Sequence, residues 1–384
     1  MGDQNKLFTP GPTEIPPEVM SELSRPMIHH RTAEFESVFG ETREQLKAIY
    51  QTQQEIIVLA SSGTGGMEAA VSNFFSSGDQ VLVIEAGKFG ERWAQIARQY
   101  GLRVVSLFYD PGIPANPDDV IRVLKEHPAV KGVFMTASET STATYHPVDK
   151  LAEAVRAQSQ ALVVVDAVTA IGIHDIKTDD WDLDVVVGGS QKGFMLPPGL
   201  SFVSVSQRAW KEAQTSTLPK YYFDLRKELK NHRENTTAYT PAVSLIRGCH
   251  KSCQLILQNG LQAWTRRHQI MTQAVHAGAK AMGLSLLAEN SPSHCLTAIW
   301  IPEAVGAKKI IGLLDTQHHM TVAGGQDELK DKIIRIAHFG ALTFTDISAV
   351  IFALEMSIHM LGGKIELGAG PKAVSQVFAK ALNT

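Results

Sequence analysis

Two residues of the stretch 161–199 have the types and spacing to do chemistry. Asp166 closes the apolar run 162–165, and Lys192 follows the run 184–187 through Gly188-Gly189-Ser190-Gln191. Short β-branched runs closed by turn residues mark buried parallel strands. The carboxyl ends of such strands form the sheet edge where α/β proteins place their ligands. An acid and a lysine, 26 residues apart, are therefore expected at one edge of one sheet. A lysine amine for a Schiff base, and an acid that keeps a pyridine nitrogen protonated, are what pyridoxal 5'-phosphate requires. The alternatives are a solvent-facing lysine and an aspartate that caps a turn.

Three further stretches could hold charge. Ser61-Ser62-Gly63-Thr64-Gly65-Gly66 lies between an expected strand, 55–60, and an expected helix, 67–75. Backbone N–H groups and the helix dipole make such a junction an anion site. Its spacing fits neither the dinucleotide fingerprint nor the P-loop, and a plain strand-to-helix turn is the other reading. Arg335 sits in Ile333-Ile334-Arg335-Ile336-Ala337. An arginine in an apolar strand calls for an anion, as a carboxylate ligand or as a structural ion pair. No metal is expected. His29 and His30 are adjacent and so do not share a face. Cys249 and Cys253 lack a second ligand pair nearby.

Composition sets the frame. The chain has 384 residues, 44% hydrophobic and 20% charged, with a formal net charge of −3. That suits a soluble enzyme of about two domains and gives no reason to expect nucleic acid or a membrane surface. Three cysteines argue against a disulfide scaffold. The N-terminus has no apolar signal core, no apolar run reaches a span of ~18 residues, and the last residues are not of the peroxisomal S-K-L type. A cytoplasmic location is the simplest expectation.

The elements follow in order. Residues 1–18 are Pro-rich and read as an extended arm, too polar to join a core. A helix is expected over 34–50. Strands are expected over 80–85, 103–109 and 132–136, each followed by a helix, over 89–100, 118–126 and 148–157. Residues 199–205 follow Lys192 too closely for a helical crossover and are expected antiparallel. The pattern predicts an α/β fold, a mostly parallel sheet sandwiched by helices, over 19–260. From 261 to 384 a smaller α+β domain is expected, with helices over 261–282, 307–317, 347–361 and 373–382 and strands over 295–301 and 333–337.

Thr9-Pro10-Gly11-Pro12-Thr13, Ser62-Gly63-Thr64-Gly65, Val165-Asp166-Ala167-Val168-Thr169 and Gly189-Ser190-Gln191-Lys192-Gly193 occur in this order. Together they resemble the class V aminotransferases of the fold-type-I pyridoxal phosphate enzymes, most closely the alanine–glyoxylate and serine–pyruvate subgroup. The resemblance implies that Lys192 is the Schiff-base lysine and proton carrier, and that Asp166 is the partner of the pyridine nitrogen. It implies cofactor phosphate contacts from Ser62, Gly63, Thr64 and Gln191, and from Tyr239 and Thr240 of a neighbouring subunit. It makes Arg335 the clamp for the substrate α-carboxylate, with Gly11 and Thr140 near substrate and Thr140 also near cofactor. Phe89 falls where animal members carry a tryptophan stacked on the cofactor ring; phenylalanine keeps an apolar face but lacks the N–H.

The activity implied is transfer of the amino group of alanine or serine to glyoxylate, or pyruvate, by a ping-pong course in a homodimer with shared active sites. Two alternatives differ in class. A pyridoxal phosphate lyase such as a cysteine desulfurase needs a mobile thiol, and no cysteine lies in a Gly/Ser-rich loop near the end of the chain. A non-catalytic subunit keeping only the fold would have no use for Lys192, Asp166 and Arg335 together.

Overall fold

The computed structural model describes residues 5–382. Residues 1–4 of the expected arm and the terminal Asn383 and Thr384 lie outside the described residues. The main sheet has seven strands in the spatial order Ile56–Leu59, Ser201–Val205, Val185–Gly189, Leu162–Asp166, Val130–Thr136, Gln80–Glu85, Arg103–Phe108. Ser201–Val205 runs antiparallel to both neighbours, while the contacts from Val185–Gly189 out to Arg103–Phe108 are parallel.

Leu162–Asp166 shows why the sequence folds this way. Every residue of it is buried. Val163 and Val165 enter the core on one face, and Leu162 and Val164 enter the core on the other, as a strand's two-residue period requires. Each such side chain contributes about 1.5–3 kcal/mol on leaving water. Helices from the crossovers cover both faces, so the sheet can end in polar groups only at its edges.

A second sheet has the order Lys6–Phe8, Met320–Gly324, Ile333–Ala337, Leu296–Trp300. Its core includes Met271 and Val275 of the helix Leu261–Ala281, Ile351 of the helix Phe344–Met360, and Phe8. Here the structure differs from the sequence reading of the N-terminal segment. Lys6–Phe8 is an edge strand parallel to Met320–Gly324, and Phe8 is fully buried. Residues 17–23, at the end of that segment, are helical. Three residues are too few for periodicity to reveal, and Met320–Gly324 escaped notice because only its middle residue is buried.

Helix Gly63–Phe74 also begins earlier than expected, so the glycines of the loop form its first turn. Among the described residues no helix is long and apolar enough to cross a membrane.

Candidate active site

Lys192 lies in the turn after Val185–Gly189. Ser190 fixes that turn: its hydroxyl donates to Pro197 O at 2.7 Å and accepts from Leu200 N at 3.1 Å. Met195 N donates to Lys192 O at 2.9 Å, and the Thr13 hydroxyl reaches the same carbonyl at 3.2 Å. The lysine is 9% exposed. Its Nζ donates to Pro10 O. Burial is the main force lowering its pKa to about 8; Asp166 opposes that shift, and Arg335 and Arg92 add to it. A buried amine with a depressed pKa is partly neutral near physiological pH, as a nucleophile and proton carrier must be.

Gly11 meets this amine. A Cβ there would stand 2.5 Å from Lys192 Nζ and 2.7 Å from Cδ and Cε, and its φ of +132° is one that glycine tolerates. Glycine thus lets the N-terminal segment close over the lysine.

Asp166 ends its strand opposite Thr136 on one side and Val187 on the other. Its Oδ1 accepts from Val168 N at 2.9 Å, so it does cap the following turn. No described hydrogen bond reaches Oδ2, and among the described residues no cation lies within ion-pair distance. Burial raises the carboxyl pKa to about 6; Glu139 adds to the rise, while Arg92 and Lys192 oppose it. Such an acid is costly to ionise unless a positive partner meets it.

The Ser62–Thr64 loop supplies the start of helix Gly63–Phe74, and no side chain caps it. Its first N–H groups have no partner within the helix. A Cβ on Gly63 would lie 2.6 Å from Val168 Cγ2, so glycine lets the helix start approach the turn after Asp166. Gln191 holds a buried Oε1 with no hydrogen-bond partner. A buried polar atom left unpaired in the free protein is what a ligand would satisfy.

Phe89 opens the helix Lys88–Gln99. The Glu139 carboxylate caps that helix, accepting from Phe89 N at 2.9 Å and Gly90 N at 3.2 Å, and also from Ser141 N at 3.1 Å. Glu139 is fully buried, and burial pushes its carboxyl pKa up against the pull of these donors. Arg92 follows one turn after Phe89. Its guanidinium lies 4.8 Å from the Phe89 ring centroid and donates to Thr64 Oγ1 at 3.2 Å. Sequence reasoning passed over Glu139 and Arg92. The available signal was the i, i+3 spacing of Phe89 and Arg92, which puts both on one helix face.

Arg335 sits mid-strand, paired with Ala298 on one side and Ala323 on the other. These small neighbours leave room for the guanidinium. It is 7% exposed. Nε donates to Gly324 O at 2.8 Å and Nη1 to Thr140 O at 2.7 Å. Among the described residues it has no carboxylate within ion-pair distance, and burial lowers its pKa. Two carbonyls hold the fork in place and leave its charge for a ligand. Thr140 meets it through the backbone.

Lys192, Asp166, Arg335, Arg92 and Glu139 thus form one electrostatic neighbourhood, with each group's pKa felt by others of the set. Tyr239 and Thr240 do not join it within this chain. Tyr239 donates to Tyr221 O at 2.9 Å and accepts from Lys227 Nζ at 3.1 Å. Thr240 lines a cavity of about 670 Å³ with His29, His30 and Leu245.

These features fit pyridoxal phosphate. A near-neutral lysine, a buried acid without a cation, an uncapped helix start with an unpaired amide beside it, and a guanidinium without an anion each lack the group that this cofactor or its substrate provides.

Residues 6–327 match the model of the family described as aminotransferase class-V; the strand carrying Arg335 lies beyond that match. The chain is 42% identical over 385 residues to the soluble hydrogenase small subunit of a Synechococcus strain, covering 99% of this chain and 100% of that one. It is 35% identical to the L-aspartate–glyoxylate aminotransferase of Paracoccus denitrificans, covering 98% and 96%. Among solved structures it resembles the ureidoglycine–glyoxylate aminotransferase of Bacillus subtilis, with TM-score 0.93 and 29% identity over 99% of both chains.

Proposed function

Because the chain belongs to the class-V aminotransferase family, which implies pyridoxal phosphate, we propose that it moves the amino group of alanine or serine to glyoxylate, with pyruvate as the alternative acceptor. One observation carries this reading: the buried Lys192 amine and the cation-free Asp166 carboxylate share one sheet edge with an Arg335 fork that has no protein anion. Glyoxylate is supported by its place in the names of two of the compared aminotransferases. The hydrogenase name of the 42% relative does not carry over. Cys249 and Cys253 face each other at 3.9 Å in one helix, while Cys295 bonds to Thr169 O elsewhere.

When bound, pyridoxal phosphate supplies an electron sink for charge released at the substrate Cα. Lys192 Nζ holds the cofactor covalently and, once the donor amine displaces it, moves the proton at Cα. Asp166 stabilises the positive charge on the ring nitrogen. Phe89 offers an apolar face to the ring. Ser62, Gly63, Thr64 and Gln191 bind the phosphate, and Arg335 orients the donor by its α-carboxylate, with Gly11 and Thr140 beside it. The cytoplasm is the proposed location.

Asp166→Asn keeps the shape but cannot offset the pyridinium charge. It is expected to retain bound cofactor and to lose about 10²- to 10³-fold in turnover, the usual cost of one preorganised electrostatic partner. Near-normal steady-state turnover in that variant would reduce Asp166 to a turn cap.

Tyr239 and Thr240 make their contacts away from Lys192 in their own chain, which supports their use by a second subunit. A homodimer with shared sites is therefore expected. Sedimentation at assay concentration checks it, and a catalytically active monomer contradicts it.

A second reading, aspartate as donor, is favoured by the Paracoccus relative's name. A panel of alanine, serine, aspartate and glutamate against glyoxylate and pyruvate separates the two.

A further inference from the structure

Arg92 is a cation in search of an anion. Among the described residues no carboxylate lies within ion-pair distance of it, yet its charge acts on both Asp166 and Lys192. Its guanidinium stacks on Phe89, and Nη1 donates to Thr64 Oγ1. A hydroxyl that accepts from a guanidinium keeps its own proton for another acceptor. At Thr64 that proton is free to serve an anion at the start of helix Gly63–Phe74.

The two neighbouring helix starts differ in a way that locates this anion. The start of Lys88–Gln99 already has one, since Glu139 takes the N–H groups of Phe89 and Gly90. The start of Gly63–Phe74 has none. Beside it, the buried terminal atom of Gln191 has no partner, and an amide turned by 180° puts an NH₂ there.

We propose that Arg92 is a phosphate anchor of this chain, pairing its guanidinium with the cofactor phosphate directly and turning the Thr64 hydroxyl toward it. The inference rests on the reading of Ser62–Thr64 as the phosphate loop. It gives the phosphate dianion a full positive charge from within the same subunit. Phe89 then has two tasks on one helix face: its ring meets the cofactor and also holds the guanidinium that grips the phosphate.

The test compares cofactor binding by apo-protein, read by absorbance and tryptophan fluorescence, for pyridoxal phosphate and for pyridoxal, which lacks the phosphate. Arg92→Ala is expected to weaken pyridoxal phosphate about 10- to 100-fold, the loss of a charge-assisted contact. Pyridoxal binding should change less than about threefold. Arg92→Lys should recover part of the loss, since it keeps the charge without the fork. Unchanged affinity for pyridoxal phosphate in Arg92→Ala, or equal weakening of both compounds, overturns the proposal. So does intact cofactor affinity with a selective loss of aspartate over alanine as donor, which would make Arg92 a reader of a second substrate carboxylate. Ser62→Ala and Gln191→Ala separate the two levels. If they weaken pyridoxal phosphate and Arg92→Ala does not, the loop stands and the anchor falls. If none of the three does, the phosphate-loop reading fails with it.

Discussion

Lys192→Ala is expected to lower amino-transfer turnover by about four orders of magnitude or more. General acid–base catalysis alone is worth 10²–10⁴, and this variant also loses covalent attachment of the cofactor. The visible absorbance that a lysine-bound cofactor gives should vanish from the purified protein. The fold should persist. Burial holds the amine's pKa at about 8, below its ordinary value, so the protonated form is disfavoured in the folded state. That cost is fully present at pH below about 8 and disappears as pH rises through the ordinary lysine range. Alanine removes it, which offsets lost packing of the stem. Circular dichroism and the thermal midpoint of the apo-protein check the fold. Wild-type turnover in the folded variant would mean that another amine does the work.

Arg335→Ala is expected to cost alanine about 30-fold to several thousand-fold in kcat/KM. Truncating one member of a buried, hydrogen-bonded charge pair costs roughly 2–5 kcal/mol, at about 1.4 kcal/mol per tenfold. The structure supports the upper half of that range. Gly324 O and Thr140 O already orient the fork, so a substrate carboxylate does not pay to order it. Arg335→Lys should recover only part, because an ammonium cannot make the two parallel bonds. The lysine-bound absorbance should survive both changes, since the residue serves substrate and not cofactor. Kinetics with alanine, and with an amine that lacks the carboxylate, read the effect. Equal use of the two by the wild type, or an unaffected Arg335→Ala, would move the clamp elsewhere.

The parts of the fold legible in the sequence were those with strong local signals. Leu162–Asp166 and Gln80–Glu85 are continuous apolar runs with clear ends, and the antiparallel Ser201–Val205 followed from a connection too short for a crossover. Lys6–Phe8 and Met320–Gly324 were not legible, because each exists only through pairing with the other. Lys192, Asp166 and Arg335 stood out as charges set in or beside apolar runs. Arg92 and Glu139 did not. A charged residue in the sequence FGERWAQIARQY looks like a solvated helix face, and Glu139 looks like one more polar residue in a loop. Only the tertiary approach of the 138–145 hairpin to the helix start at Lys88 gives either residue its surroundings.

The central claim is that Lys192 and Asp166 run a half-reaction on bound pyridoxal phosphate. Its most direct test is a single exposure of the holoenzyme to alanine with no oxoacid present. The account predicts loss of the lysine-bound absorbance and release of about one pyruvate per active site, then no more until glyoxylate is added, when the absorbance returns and glycine forms. No pyruvate, or continued pyruvate release without an acceptor, would contradict it.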